Sequence, residues 1–106
     1  MVSRFDVVLV DLDPTRGSEI RKRRPCVVVS PDVMNAHLRT LIVAPLTRGG
    51  REYPTRIACT FGGVAGWVVL DQLRTIDRSR IVQRLGRLDD ATQALVLTTL
   101  SDLFAP

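Results

Sequence analysis

The chain has little of what most metal and nucleophilic sites are built from. Its two cysteines, Cys26 and Cys59, stand alone in apolar stretches. Neither a Cys-x-x-Cys pair nor a zinc ligand set can be drawn from them, and both read as buried structural thiols. The single histidine, His37, follows a short polar stretch without other ligand residues. That excludes an acid–base mechanism using two histidines of one chain, and it makes His37 a surface residue. No apolar run approaches the roughly 20 residues that carry a helix across a bilayer. The opening Met1-Val2-Ser3-Arg4-Phe5-Asp6 enters a strand pattern at once and lacks a signal-peptide pattern, so a cytoplasmic location is expected. Lysine is nearly absent too: Lys22 is the only one among 15 basic residues. The net charge of +4 therefore rests on arginine, whose planar fork suits phosphate. A GC-rich coding sequence, which favours arginine codons, accounts for the abundance equally well, but not for the clustering.

What is present suits one globular domain over residues 1–106 with a single core: 45% of the residues are hydrophobic and 25% charged. Residues 7–12 form a short apolar run closed by Asp13-Pro14 and read as a first strand. Residues 25–30 read as a second, with Val27-Val28-Val29 buried on both faces or at a tight corner. Residues 31–37 suit one or two helical turns, because proline favours a first helical position. A third strand is expected over 40–45, closed by Pro45, with Gly49-Gly50 as a mobile turn. Residues 55–60 read as a fourth strand broken by Gly62-Gly63, and 66–73 as a central fifth. Residues 77–80 look like a helical turn and 81–85 like a short strand or turn. From Asp89 the pattern changes: Asp89 and Asp90 suit a helix start, and Thr92, Val96, Leu100 and Leu103 recur at helical spacing. Leu95, Thr99 and Phe104 widen that stripe, which can cover a sheet or meet a partner. Many short strands with little helix indicate a small, strongly bent antiparallel sheet or barrel. There are no repeats and no linker.

Residues 11–25 join the first two strands and are crowded with charge. Arg16, Arg21, Lys22, Arg23 and Arg24 surround one carboxylate, Glu19, and one glycine, Gly17. Five cations in one loop repel each other, so the loop is either a solvated surface or the seat of a polyanion.

The order of residues in that loop carries more than its charge. Asp13-Pro14-Thr15-Arg16-Gly17-Ser18-Glu19, followed by Arg24-Pro25-Cys26-Val27-Val28-Val29, resembles the MazF/PemK (Kid) family of toxins from toxin–antitoxin pairs. Ser30-Pro31 with Asn35, Val43-Ala44-Pro45-Leu46-Thr47 and Asp71-Gln72-Leu73-Arg74-Thr75-Ile76-Asp77 are similar to later motifs of that family, in the same order. The resemblance covers nearly the whole chain. It implies a mainly β fold, an SH3-like barrel with a C-terminal amphipathic helix. It implies a toxin that cuts single-stranded RNA at short sequences without a metal or other cofactor. It also implies a homodimer, and a cognate antitoxin whose acidic, flexible tail occupies the RNA groove.

Cleavage by a neighbouring 2′-hydroxyl needs a base, positive charge on the phosphate and a proton donor for the leaving oxygen. The resemblance points to Arg24 for the phosphate and to Thr47 for a further hydrogen bond. Glu19 suits a base or an acceptor for an RNA base, and equally a local ion pair with Arg16 or Arg23; the sequence leaves the base open between Glu19 and Asp71. Arg16, Ser18, Asp71, Gln72 and Arg74 complete the expected RNA-binding set. Two departures stand out. The Kid branch pairs its aspartate, here Asp71, with an arginine two residues earlier, where this chain has Val69. Phe5 stands where the family commonly has glycine, which implies a changed start to the first strand. Trp67 can stack on a base but reads as a core or interface residue. A gyrase poison of the CcdB type shares the fold but would call for Trp-Gly-Ile at the end, where this chain has Leu103-Phe104-Ala105-Pro106. A non-catalytic nucleic-acid-binding barrel draws on the same arginines.

Overall fold

The computed structural model describes residues 2–106 and holds seven antiparallel strands, two α-helices and two 3-10 turns. In chain order these are β1 (Asp6–Asp11), β2 (Arg23–Val28), α1 (Asp32–His37), β3 (Thr40–Thr47), β4 (Arg56–Phe61), β5 (Val64–Val69), β6 (Arg74–Asp77), β7 (Ile81–Arg87) and α2 (Asp90–Phe104). The strands run β4-β5-β3-β2-β1-β7, and β6 adds to β3. This is the bent antiparallel sheet with a terminal helix that the strand pattern predicts.

Successive residues of the inner strands go to two different cores. Val7, Val27, Ala44, Leu46 and Val68 pack with Leu70, Leu88 and Val96 of α2 in one. Val8, Val10, Cys26, Val28, Val43 and Ile76 form the other. Burial on both faces is why β1 and β2 read as unbroken apolar runs rather than alternating ones. It also confirms Val27-Val28-Val29 as buried throughout.

Strand β3 organises the rest. Its first half pairs with β6 up to Val43↔Arg74, and its last two residues pair with β5 as Leu46↔Val68 and Thr47↔Trp67. Pro45 falls in the gap between these partners, where the missing amide donor breaks neither ladder. The strand therefore passes through Pro45 to Thr47 instead of closing at it. The course after β5 also differs from the sequence pattern. The expected fifth strand ends at Val69, because Leu70–Gln72 coil into a 3-10 turn whose first amide bonds the Thr55 carbonyl. The chain is thereby redirected into β6, a strand the apolar pattern does not mark. Gly62 and Gly63, with φ of +57° and +77°, close the β4–β5 hairpin in the conformation that tight two-residue turns require.

Helix α2 starts as expected, with the Asp89 side chain accepting from the Thr92 amide at 2.7 Å. Its apolar stripe is only half used. Thr92 and Val96 are buried and Leu100 packs against the core, whereas Leu95, Leu97 and Phe104 remain exposed. Phe5 has φ +72°, the left-handed backbone that glycine adopts without penalty, and it stands immediately before β1. Among the described residues, no helix is long and apolar enough to cross a membrane.

Candidate functional site

Register brings the two leading residues together. Strands β2 and β3 pair as Cys26↔Pro45, Val27↔Ala44 and Val28↔Val43. Continued by two residues, that register sets Arg24 opposite Thr47, 23 positions away in sequence. Both line a groove of about 300 Å³ with Ile20, Arg48, Gly49, Gly50, Arg56, Val69 and Gln72. Both also border a cleft of about 430 Å³ floored by Leu46, Phe61 and Trp67.

Arg24 lies within the β1–β2 ladder opposite Val10, and its Nε donates to the Arg21 carbonyl at 3.2 Å. It is half-buried, while its neighbour Arg23 is exposed. The guanidinium is therefore held from its own loop, with its terminal nitrogens outside that bond. Thr47 is half-buried, and its hydroxyl donates to the Gly49 carbonyl at 3.0 Å.

The basic loop is held from a distance. Gln72 accepts from the Ile20 amide at 2.7 Å and donates to the Ser18 carbonyl at 3.2 Å. Arg74 donates to the Leu12 carbonyl, and Arg80 to those of Asp11 and Asp13. These three side chains satisfy carbonyls at the loop's base and fix its exit from the sheet. Arg16 and Ser18 are left exposed on its outer turn. The Arg16 amide donates to Glu19 Oε1 at 2.6 Å, so Glu19 braces the turn.

Glu19, Asp71, Gln72 and Arg74 share a second cleft of about 230 Å³ with Pro45. Gln72 and Ile20 line both this cleft and the Arg24 groove, and so form the wall between them. The sequence-predicted residues thus fall into two adjoining sets, Arg24 with Thr47 on one side of Gln72 and Glu19 with Asp71 and Arg74 on the other. Asp71 is held by Arg56 through two contacts of 3.2 Å and by the Thr55 hydroxyl at 2.9 Å. The Arg56 guanidinium above all, aided by Thr55, keeps the Asp71 carboxyl below its usual range.

Sequence reasoning missed Arg48 and Arg56. Arg48 follows Thr47 directly and was within reach of a local reading. Arg56 enters the groove only because β4 pairs with β5, and no local pattern marks it. Trp67 is half-buried between clefts, which suits a wall more than a core. Cys26 is buried, and that burial pushes its thiol up to about 12, against the pull of Arg74 and Arg24. It is an inert packing group.

Comparison with known proteins agrees with this arrangement. Residues 3–104 match the family described as PemK-like, MazF-like toxin of type II toxin-antitoxin system. The chain is 37% identical to endoribonuclease PemK of Escherichia coli over 96% of its own length and 81% of that protein. It is 35% identical to endoribonuclease MazF of Staphylococcus saprophyticus over 85% of its length and 80% of that protein. Its fold superposes on crystalline MazF from Deinococcus radiodurans with a TM-score of 0.84 at 29% identity, covering 96% of this chain and 94% of that one. It superposes equally well, at 25% identity, on a mycobacterial endoribonuclease solved in complex with its cognate antitoxin, covering 100% and 98% of the two chains. The four motifs of the sequence, the barrel-like fold and these matches converge: the chain belongs to the PemK-like, MazF-like toxin family of type II toxin–antitoxin systems.

Proposed function

We propose that this chain is a toxin that acts in the cytoplasm as an endoribonuclease, cutting single-stranded RNA at short sequences without a metal ion. The observation that carries this reading is the meeting of Arg24 and Thr47 in one groove beside Arg48, under a loop of further cations. Arg56 in that groove is paired with Asp71, but among the described residues neither Arg24 nor Arg48 pairs with a carboxylate, and a phosphodiester would supply their anion.

In the reaction the substrate's 2′-hydroxyl attacks the adjacent phosphorus. The new P–O2′ bond forms as the P–O5′ bond breaks, leaving a 2′,3′-cyclic phosphate and a 5′-hydroxyl. Arg24 meets the charge that builds on the phosphoryl oxygens. Thr47 turns its hydroxyl from the Gly49 carbonyl to a phosphate oxygen. Glu19, from the adjoining cleft, accepts the 2′-hydroxyl proton, and the leaving 5′-oxygen takes its proton from solvent water. Arg16 and Ser18 on the exposed turn, with Asp71, Gln72 and Arg74 in the adjoining cleft, form the RNA-binding surface. Gln72 and Arg74 serve it by holding the loop.

The working unit is a homodimer. Its antitoxin carries an acidic, flexible tail that competes for the same arginines. Charge complementarity with a +4 chain supports such a tail, and the mycobacterial relative bound to its antitoxin is a structural precedent.

Purified protein incubated with a long RNA in EDTA, followed by mapping of 5′ ends, tests the reading. Discrete cuts bearing 5′-hydroxyls are expected. Intact RNA, or cuts that appear only when a divalent metal is added, would overturn it.

A further inference from the structure

Arg56 enters the groove of Arg24, Thr47, Arg48 and Gln72 from a strand that the sequence motifs leave out. It stands on β4 directly across the ladder from Val69, and its side chain reaches the turn that follows β5. There Nε donates to Asp71 Oδ1 and Nη2 to Asp71 Oδ2. Pairing along this edge fixes the plane of the guanidinium. Nη1 remains on the opposite side, toward Gly50, where even an added methyl carbon would stand 3.8 Å away. The ring of Tyr53 lies 5.9 Å from the guanidinium carbon and backs the fork. The result is an oriented cation with free donors facing a groove that two other arginines also line.

Folding stability accounts for only part of this pair. The Arg56 and Asp71 side chains are 28% and 33% exposed and joined by two contacts, which adds some stability but gives no reason for the guanidinium to face the groove. Asp71 also makes a weak proton acceptor. Both of its oxygens are engaged, and Arg56 holds its carboxyl below the usual range, away from the working pH that favours a general base.

Resting on the ribonuclease reading above, we propose that Arg56 binds a backbone phosphate of the RNA and that Asp71 is the positioning residue that aims it. The contact forms when substrate binds and persists through the transition state, so it contributes affinity without accelerating the chemical step. Arg24 meets the reacting phosphate, and Arg56 holds the strand next to it.

The test uses an oligoribonucleotide with one cut site, and the same oligomer with a 2′-methoxy group at that site for binding. In Arg56→Gln, KM should rise about 3–10-fold with kcat within about twofold, the signature of lost uniform binding. Affinity for the methoxy oligomer should fall in step, and the slope of log affinity against log salt should drop by about 0.7, the value for one phosphate of a single strand. Arg56→Lys should recover the slope but only part of the affinity, because an ammonium lacks the fork. In Asp71→Asn, KM should move the same way by less, with the pH profile of kcat unchanged.

A fall of about 100-fold in kcat for Asp71→Asn, with KM and salt slope unchanged in Arg56→Gln, would overturn the proposal and make Asp71 a catalytic residue. If wild-type protein cuts no RNA, the ribonuclease reading fails, but the binding arm still decides Arg56. An unchanged slope in Arg56→Gln then refutes phosphate binding, and a lowered one upholds it. Should Arg56→Gln melt far below wild type, Arg56→Lys carries the test, and a loss of slope in that variant refutes the proposal.

Discussion

Gly66 lies against the Thr47 backbone so closely that a Cβ built on it would sit on the Thr47 carbonyl oxygen. Backbone, unlike a flexible side chain, cannot move aside without opening the β3–β5 ladder. Gly66→Ala should therefore destabilise the fold by at least about 2 kcal/mol, as overpacking against a fixed element does. It should also cost activity beyond its effect on folding, because Thr47 is displaced with the strand. Thermal melting and RNA cleavage measured on the same preparation check both, and wild-type values for both would contradict the geometry.

Arg24 and Thr47 share a groove but not a weight. Arg24→Ala removes the charge facing the phosphate, and groups of that kind contribute roughly 100–1000-fold to kcat. Thr47→Ala removes one neutral hydrogen bond, so its loss should be nearer tenfold. Both sites are half-buried at strand ends, and both variants should fold with melting temperatures near wild type. Near-normal cleavage by Arg24→Ala would remove it from the mechanism.

Phe5 reverses a common ranking. In most buried sites glycine is worse than alanine, because it adds backbone entropy to the lost side chain. Here φ is +72°, and alanine would keep the strain of about 1–2 kcal/mol that glycine relieves. The Phe5 side chain is buried in the main core, and losing it costs roughly 3–5 kcal/mol. Both variants should be destabilised, with Phe5→Gly more stable than Phe5→Ala by about 1 kcal/mol. Denaturant titration measures the order directly, and alanine ranking above glycine would show that Phe5 is unstrained.

Acid should weaken the fold through Asp6, which is only 3% exposed. Burial alone would raise its carboxyl, but the Ser3 amide, Arg84 and Arg87 outweigh that and hold it below its ordinary value. A carboxyl lower in the folded than in the unfolded chain stabilises above the unfolded pKa, about 3.9. That contribution disappears as pH falls through the native value. Urea midpoints should thus drop below about pH 4. Asp6→Asn should lower stability at pH 7 by about 1–2 kcal/mol, a moderate figure because both arginines are about half exposed. The same variant should differ little from wild type near pH 2. An equal loss at both pH values would show that Asp6 acts through shape and not charge.

Features legible in the sequence were those that local physics sets. Apolar runs at 7–12 and 25–30 mark strands because both their faces are buried, and Asp89 marks a helix start because a free amide of the first turn needs its oxygen. Charge left the basic loop between a solvated surface and the seat of a polyanion, and it was the order of its residues that pointed to the toxin family. Tertiary structure decided everything that depends on which strand edges meet. Only the β2–β3 pairing brings Arg24 and Thr47 to one groove, and only the 3-10 turn after Val69 lets Gln72 hold a loop 52 residues away. Strand β6 and the route of β3 through Pro45 likewise follow from partners at the edges of one strand. Val69 left Asp71 without its expected neighbour in sequence, and β4 supplied Arg56 from across the ladder instead. Periodicity and capping act over a few residues and can be read along the chain, whereas the pairing of edges is chosen by the whole core and so appears only when the chain has folded.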